Sequence, residues 1–194
     1  MAPSYFAPIS HWKEIIGSNI LWDLNQHFVK QTIRNRIHIY GPNKVLKLSI
    51  PVKHSTERFT LKNALIENDF QWQKEHWKSI ESSYKSSPFF EYYEDSLKEL
   101  YINKYNNLSD FNFNGIKLIC EWLGIEFKFN LTESYKEKYE SGNDLRFKSE
   151  KNYNDLFKVK EYIQVFSSKH GFKNNLSILD LIFNEGPNSL SYLE

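Results

Sequence analysis

The chain has 194 residues, of which 40% are hydrophobic and 16% aromatic, and its formal net charge is +1. This composition excludes an intrinsically disordered chain, and the length suits one domain with a sizeable core over residues 1–194. A membrane-spanning helix is excluded because no run of about 18 apolar residues occurs, and the first residues lack the basic and apolar regions of a secretory signal. The single cysteine, Cys120, excludes an internal disulfide, and the near-neutral charge argues against a general nucleic-acid-binding protein.

The near-neutral charge is the sum of two unequal parts. Residues 1–60 contain eight lysines and arginines against three acids, a net charge of +5, so the remainder carries −4. A basic first third joined to an acidic remainder is typical of a surface that faces an anion at one end of the molecule. The alternative is that the two parts neutralise each other across an internal interface.

Hydrophobic periodicity and turn residues divide the chain into short strands followed by helices. In chain order we predict a helix over 11–17 capped by Ser10, a strand over 20–22, a hairpin over 33–52, helices over 69–83, 89–103 and 108–123, a strand over 125–129, an irregular surface loop over 132–155, a strand near 159–166 and a helix over 176–183. The hairpin has the clearest pattern, since apolar and polar residues alternate on both sides of the turn Gly41-Pro42-Asn43. This order indicates an α/β or α+β fold with one mixed sheet that includes the hairpin, and with a mainly helical C-terminal half.

Several motifs of well-known enzymes are absent. The seven glycines form no phosphate-binding loop, and neither a G-x-S-x-G nucleophile motif nor an H-E-x-x-H zinc motif occurs. Cys120 lies in an apolar helix pattern, which is typical of a buried structural cysteine rather than a reactive thiolate. His11-x-x-Glu14 and Glu75-His76 each supply two metal-ligand side chains, but a metal site needs further partners, so we predict no metal site and no cofactor.

The strongest cluster of binding candidates is Lys30-Gln31-Thr32-Ile33-Arg34-Asn35-Arg36. Arg34 and Arg36 lie two apart on a predicted strand and so project from one face, with Lys30 near the same end. Guanidinium groups bind carboxylate or phosphate bidentately and stay charged, which suits an anionic ligand. Asn35 points the opposite way and needs hydrogen-bond partners, so it is either a structural bridge or part of a second site. The alternative for the arginines is a solvated strand face paired with later acids.

His76 lies on a helical stripe with Trp72 and Ile80. A neutral imidazole there could act as a general base, because its ordinary pKa is close to working pH. A core histidine bonded through one ring nitrogen is the alternative. The aromatic run over 84–93 is either core or, at an interaction surface, an exposed patch.

Motifs spread over nearly the whole chain resemble those of one known family. They are Gln31-Thr32-x-Arg34-Asn35-Arg36, Ile50-Pro51-Val52, His76-Trp77-x-Ser79-Ile80, Pro88-Phe89-Phe90, Asp144-Leu145-Arg146, Gln164-Val165-Phe166, Leu176-Ser177-Ile178-Leu179-Asp180 and Asn184-Glu185-Gly186-Pro187. On these residues the chain is similar to the WbqC-like protein family. Its opening, Ala2-Pro3-Ser4-Tyr5-Phe6, is shorter than the first strand of the family pattern.

The resemblance implies a bacterial, cytoplasmic protein. Some members of the family are encoded among genes of surface-polysaccharide biosynthesis. By resemblance to them, we expect an acyl or amino-acyl transfer to a sugar nucleotide. The family supplies no established catalytic residues, so the matched polar positions are nominated together with a neighbouring lysine. The catalytic candidates are His76 and Glu185, and the ligand-binding candidates are Lys30, Arg34, Asn35, Arg36, Arg146 and Asn184.

Two functions of different classes remain open. In the first, the protein is a transferase of bacterial surface-polysaccharide biosynthesis: the arginines hold a sugar nucleotide or a similar small anionic metabolite, His76 acts as base, and Asn184 or Glu185 orients the acceptor. In the second, it is a non-catalytic ligand-binding or assembly module of a biosynthetic complex, with the aromatic run over 84–93 exposed. Neither function involves nucleic acid or a membrane, and both leave oligomerisation open.

Overall fold

The computed structural model of the chain describes residues 1–139, 143–149 and 157–194, and its helices and hairpin follow the predicted order with shifted ends. The helices are α1 (Ile9–Gly17), α2 (Trp72–Tyr84), α3 (Phe90–Ile102), α4 (Leu108–Leu123), α5 (Ser167–His170), α6 (Ile178–Glu185) and α7 (Leu190–Leu193). The strands are β1 (Leu21–Trp22), β2 (Arg36–Tyr40), β3 (Val45–Ser49) and β4 (Asn130–Leu131), and 3-10 turns occupy Leu61–Asn63, Arg146–Ser149 and Gly186–Ser189. The predicted α+β class and the mainly helical C-terminal half are confirmed.

The strands of the described residues form two separate two-stranded sheets instead of one mixed sheet. β2 and β3 make the predicted antiparallel hairpin, in which Arg36 lies opposite Ser49. β1 and β4 pair in parallel, with Leu21 opposite Asn130. Parallel pairing requires a long connection, and here it consists of the hairpin and α2 to α4.

Two predicted strands, over 125–129 and 159–166, are irregular segments. In the first, alternate side chains pack against other aromatic rings. The ring centres of Phe129 and Phe113, for example, lie 4.8 Å apart in edge-to-face geometry. In the second, Tyr162 and Gln164 alternate inward and bind the side chain of Asp180. In both segments, the alternation of apolar and polar residues correctly indicates a half-buried chain. A strand also needs a neighbouring strand with which to pair, and these segments have none among the described residues.

The ends of α4 show how local residues set the helix boundaries. At its start, the side-chain oxygen of Asn107 accepts a hydrogen bond from the Ser109 amide at 3.2 Å. At its end, Gly124 adopts a φ of 66°, the left-handed conformation that favours glycine. In the part of the chain that the structure describes, no helix combines the length and apolar character needed to cross a membrane.

α1 begins two residues before its predicted start and takes its cap from the far end of the chain. Ser10, the predicted N-cap, lies inside the helix: its amide donates to Asn175 Oδ1 at 2.9 Å, and its hydroxyl accepts from Asn175 Nδ2 at 3.0 Å. The Ile178 amide also donates to the Ala7 carbonyl at 3.0 Å. The N-terminal segment is consequently buried against the start of α6, within a cluster of buried apolar residues drawn from both ends of the chain.

A fully buried carboxylate, Asp180 of α6, connects elements that are far apart in the sequence. Its Oδ1 accepts from the Tyr84 hydroxyl at 2.9 Å, and its Oδ2 accepts from the Tyr162 hydroxyl at 2.5 Å and the Gln164 amide at 2.8 Å. The Tyr84 hydroxyl in turn accepts from the Tyr40 amide of β2 at 3.0 Å. Burial raises the pKa of the Asp180 carboxyl to about 6, and the hydrogen bonds limit the rise.

The end of α6 depends on a glycine. Gly186 has a φ of 52° and a ψ of −127°, a combination that side-chain-bearing residues rarely adopt. A Cβ atom at this position would lie 2.5 Å from Cδ1 of the Phe89 ring. The Phe89 amide donates to the Phe183 carbonyl at 3.0 Å, so the chain before α3 and the end of α6 are in backbone contact.

Candidate functional site

α1 carries a histidine that is completely buried and makes no hydrogen bond to the described residues. His11 is 0% exposed, and neither Nδ1 nor Nε2 has a hydrogen-bond partner within the ranges that the structure describes. Leaving a buried polar group unpaired costs about 1–3 kcal/mol. Glu14 lies three residues further along α1, on the same face of the helix. The helix thus presents an imidazole and a carboxylate side by side.

The turn at Arg146–Ser149 brings a buried ammonium group to this face of α1 and carries a buried hydroxyl next to it in the sequence. Lys148 is 6% exposed, forms an ion pair with Glu14, and has its Nζ 5.3 Å from the centre of the Phe157 ring. The Ser149 hydroxyl is buried and, within the described ranges, has no hydrogen-bond partner. Both side chains belong to a stretch for which a surface loop is predicted, so this part of the prediction is wrong. Residues 140–142 and 150–155 of that loop lie outside the described residues.

Arg34 is the second cation of this region, and it is also buried. Its Nη2 donates to Gln26 Oε1 at 2.7 Å, and its Nη1 donates to the Ser149 carbonyl at 3.1 Å. Burial lowers the pKa of His11 to about 3, and the positive charges of Lys148 and Arg34 contribute to the decrease. The imidazole is therefore neutral at pH 7. We refer to His11, Glu14, Arg34, Lys148 and Ser149 as the His11 centre.

A cavity of about 280 Å³ adjoins the His11 centre, and Glu14 contributes to both. The other charged side chains of its lining are Asp23, Asp144 and Arg146, and apolar surface comes from Ile20 among others. This volume is just below the range of about 300–1,000 Å³ that is typical of small-molecule sites. The cavity is therefore suited to a small polar molecule or to one end of a larger one.

Arg146 holds one wall of this cavity together. Its Nε donates to Asp144 at 2.9 Å, its Nη1 to Asp23 at 3.4 Å, and its Nη2 to Asp144 at 2.5 Å. The two remaining N–H groups reach the carbonyls of Lys136 and Glu137, at 2.8 and 3.1 Å. An arginine has five N–H donors, and all five are engaged here. A ligand bound by Arg146 would have to displace one of these partners.

His76, the predicted base, is buried in the core and bonds to Tyr5 instead of to Arg34 or Arg146. Its Nδ1 is 2.9 Å from the Tyr5 hydroxyl, and its ring packs edge-to-face with that of Trp72. Burial lowers the pKa of His76 to about 4. The geometry matches that of a core histidine bonded through a ring nitrogen, the alternative weighed from the sequence.

Glu185 and Asn184 at the end of α6 also bond locally. The Asn184 amide donates to the Asp180 carbonyl of its own helix at 2.7 Å. Glu185 lies beside Tyr192. The pKa of the Tyr192 phenol is raised mainly by burial and, in second place, by the negative charge of Glu185. Neither contact involves a residue of the His11 centre. The structure therefore does not bring the two predicted catalytic residues, His76 and Glu185, together.

The predicted row of hairpin cations does not form. β2 begins at Arg36, so Arg34 lies in the turn before the strand and points into the protein, while Lys30 is exposed. Arg36 is half-buried and donates from Nε to the Ser49 hydroxyl at 2.8 Å across the hairpin. Asn35 donates to the Ile50 carbonyl at 2.9 Å and so acts as the structural bridge. Of the predicted ligand-binding residues, Arg146 lines the cavity, and Arg34 bonds to Ser149 of the His11 centre.

Two residues of the His11 centre, Lys148 and Ser149, are not among the residues predicted from the sequence. His11 and Glu14 are predicted only as possible metal ligands, and among the residues that the structure describes no group of three or more His, Cys, Asp and Glu is placed to hold a metal ion. Lys148 and Ser149 follow the Asp144-Leu145-Arg146 motif directly, which was the available signal. Cys120 is buried as predicted, and burial raises the pKa of its thiol to about 12.

The neutral buried histidines predict a loss of stability in acid. Since the folded-state pKa values of His11 and His76 lie below the ordinary 6.5, the unfolded chain binds more protons between about pH 6.5 and pH 4. Each histidine then removes about 1.4 kcal/mol of unfolding free energy for each pH unit of acidification. Asp180, whose folded-state pKa is raised to about 6, binds its proton more readily in the folded state than in the unfolded state. Acidification below about pH 6 therefore gains about as much unfolding free energy from Asp180 as it loses from one of the two histidines.

Urea unfolding as a function of pH tests this expectation. His11→Gln should reduce the slope by about 1.4 kcal/mol per pH unit, whereas the same substitution at the exposed His54 should leave it unchanged. An unaltered slope in His11→Gln would contradict a neutral, buried His11.

Comparison with known proteins places the chain in a family. The family model of the WbqC-like protein family matches residues 3–154, a range that includes the whole His11 centre. An uncharacterized protein of Mycobacterium tuberculosis, Rv1507c, is 27% identical over 202 residues, which cover 90% of this chain and 86% of the relative. No solved structure matches the chain. Because the family model covers well over half of its residues, the chain belongs to the WbqC-like protein family.

Proposed function

We propose that the protein is a transferase that binds a small anionic metabolite at the His11 centre and uses His11 as the proton acceptor. One observation carries the proposal: a neutral imidazole is fully buried, has no hydrogen-bond partner for either ring nitrogen among the described residues, and is close enough to the cations Lys148 and Arg34 for their charges to lower its pKa. The cations favour an anionic ligand. The imidazole provides the base that a group transfer requires.

Binding of an anion would activate this base. Burial is the main cause of the low pKa of His11, and the cations add to it. Negative charge beside the imidazole offsets the cations and so raises the pKa from about 3. In an acyl transfer, the acceptor hydroxyl or amine attacks the carbonyl carbon of an activated acyl donor, and His11 takes the proton of the acceptor. The bond to the leaving group then breaks, and His11 returns the proton to the leaving group.

The acceptor that we propose is a sugar nucleotide, and the process is surface-polysaccharide biosynthesis. Resemblance to the WbqC-like family supports this choice, and the volume of the cavity accommodates the sugar end of such a molecule. Arg34 remains the predicted anion-binding arginine, and His11 takes the role of base that the sequence predicts for His76.

The alternative, a non-catalytic assembly module, has less support. It requires the aromatic run over 84–93 to be exposed. Tyr84, Phe90 and Tyr93 are instead buried, and Tyr92, at 81% exposure, is the exception. The run is mainly core, and it does not form the continuous patch that a partner would need.

Calorimetric titration at pH 7, in two buffers of different ionisation enthalpy, tests the proposed function. With UDP-glucose and inorganic phosphate as probes, we expect binding with uptake of at most about half a proton for each ligand, because His11 must stay mainly neutral at pH 7 to act as the proton acceptor. His11→Gln should abolish the proton uptake, and Lys148→Gln should weaken binding about tenfold through the loss of a charge-assisted bond.

The matched controls are His54→Gln and Lys138→Gln, both at exposed positions. They should bind as the unaltered protein does. If neither probe binds, or if binding proceeds without proton uptake, the proposed role of His11 is wrong.

A further inference from the structure

A second cavity, of about 350 Å³, lies where α2 meets the end of α3. It shares no lining residue with the cavity beside the His11 centre. Its lining combines three aromatic side chains, Phe70, Trp77 and Tyr101, with two lysines, Lys74 and Lys98. We refer to this region as the α2–α3 cleft.

The two helices present cations and rings at matching positions. Lys74 and Trp77 lie one turn apart on α2, and Lys98 and Tyr101 lie one turn apart on α3. The Lys98 ammonium is 5.9 Å from the centre of the Trp77 ring. In the ranges that the structure describes, neither lysine forms an ion pair, so both ammonium groups are available to an anion.

Two of the three aromatic side chains of the cleft are held by contacts with the core, and the third is exposed to solvent. The Trp77 ring packs at 29° to the ring of Phe90, with centroids 6.2 Å apart, and the Tyr101 hydroxyl lies 2.5 Å from the buried Tyr5 hydroxyl. These contacts hold the two rings in place before any ligand arrives. Phe70, in contrast, is 65% exposed at the rim. A large exposed ring beside fixed aromatic rings is suited to stack on a planar ligand.

We propose that the α2–α3 cleft binds a planar aromatic anion, of which a nucleoside monophosphate is the simplest example. The ring of the ligand stacks against Phe70 and Trp77, an interaction that tolerates any base. Its phosphate lies between Lys74 and Lys98, which act as point charges. The volume falls within the range of small-molecule sites. The proposal uses no residue of the His11 centre, so the two sites can fail independently.

Titration of the full chain with adenosine 5′-monophosphate, followed by calorimetry, tests the proposal. We expect saturable binding that Phe70→Ala weakens about fivefold or more through lost stacking. Lys98→Gln should weaken it by a similar factor. Adenosine alone and inorganic phosphate alone should each bind about tenfold more weakly than the nucleotide, because each supplies only half of the recognised chemistry.

Matched substitutions separate this site from general effects. Tyr92→Ala removes an exposed ring of α3, and Lys78→Gln removes an exposed lysine of α2, and neither residue lines the cleft. Both variants, and His11→Gln, should bind the nucleotide normally. Absence of binding, equal binding of phosphate alone, or binding that Lys148→Gln abolishes and Phe70→Ala does not, would overturn the proposal.

Discussion

Replacing Asp180 by alanine is expected to lower the free energy of unfolding by about 3 kcal/mol or more. The substitution leaves the hydroxyls of Tyr84 and Tyr162 and one N–H of the Gln164 amide without their acceptor in a region closed to water. It also opens a gap at the junction of α2 and α6. Urea unfolding at pH 7, with circular dichroism as the signal, measures the loss directly.

The control for this prediction is Asp95→Ala, at an exposed position of α3, which should change stability by about 0.5 kcal/mol or less. Asp180→Asn should fall between the two variants. It preserves the volume and one acceptor, but it directs an amide donor towards groups that are themselves donors. A loss below about 1 kcal/mol in Asp180→Ala would show that the cluster around Asp180 does not stabilise the fold.

Gly186→Ala should destabilise the protein by about 3 kcal/mol, because two separate costs add. Alanine is strained at a φ of 52° with a ψ of −127°, which costs about 1–3 kcal/mol. Its Cβ would also overlap the Phe89 ring, and such overpacking costs a similar amount. The shift in the midpoint of thermal or urea unfolding reports the sum.

A second glycine offers a matched comparison. A Cβ at Gly17 meets nothing within 4 Å, and Gly17 ends α1 without a positive φ, so Gly17→Ala should be neutral or slightly stabilising. In a Phe89→Ala background, Gly186→Ala should retain only the backbone strain. If its cost there equals the cost in the unaltered protein, the contact with Phe89 is not part of the penalty.

Elements with local signals could be predicted from the sequence. The hairpin follows from two alternating runs around Gly41-Pro42-Asn43, and α4 follows from an apolar stripe between Asn107 and Gly124. These signals act within a few residues, so a single sequence contains them in full. The predicted cap of α1 failed for the opposite reason, since its true cap, Asn175, is contributed from 165 residues away.

The candidate site could be predicted only in part. Arg34 and Arg146 were nominated, but the sequence pattern placed Arg34 on an outward strand face, whereas it lies buried against Ser149. The pairing of Lys148 with Glu14 depends on contacts across 134 residues. No periodicity encodes such a contact. The net charge of +5 over residues 1–60 is evident from the sequence, but it does not indicate which of the cations are buried.

The bonds between the two ends of the chain also constrain when the protein can fold. Ala7 accepts its hydrogen bond from Ile178, and the first turn of α1 is capped by Asn175. During synthesis, these early residues cannot form their bonds until residues 175–178 have left the ribosome. Contacts of such long sequence separation slow folding and favour aggregation of the nascent chain. Production of this protein should therefore benefit from slow translation and from chaperones that shield its first residues.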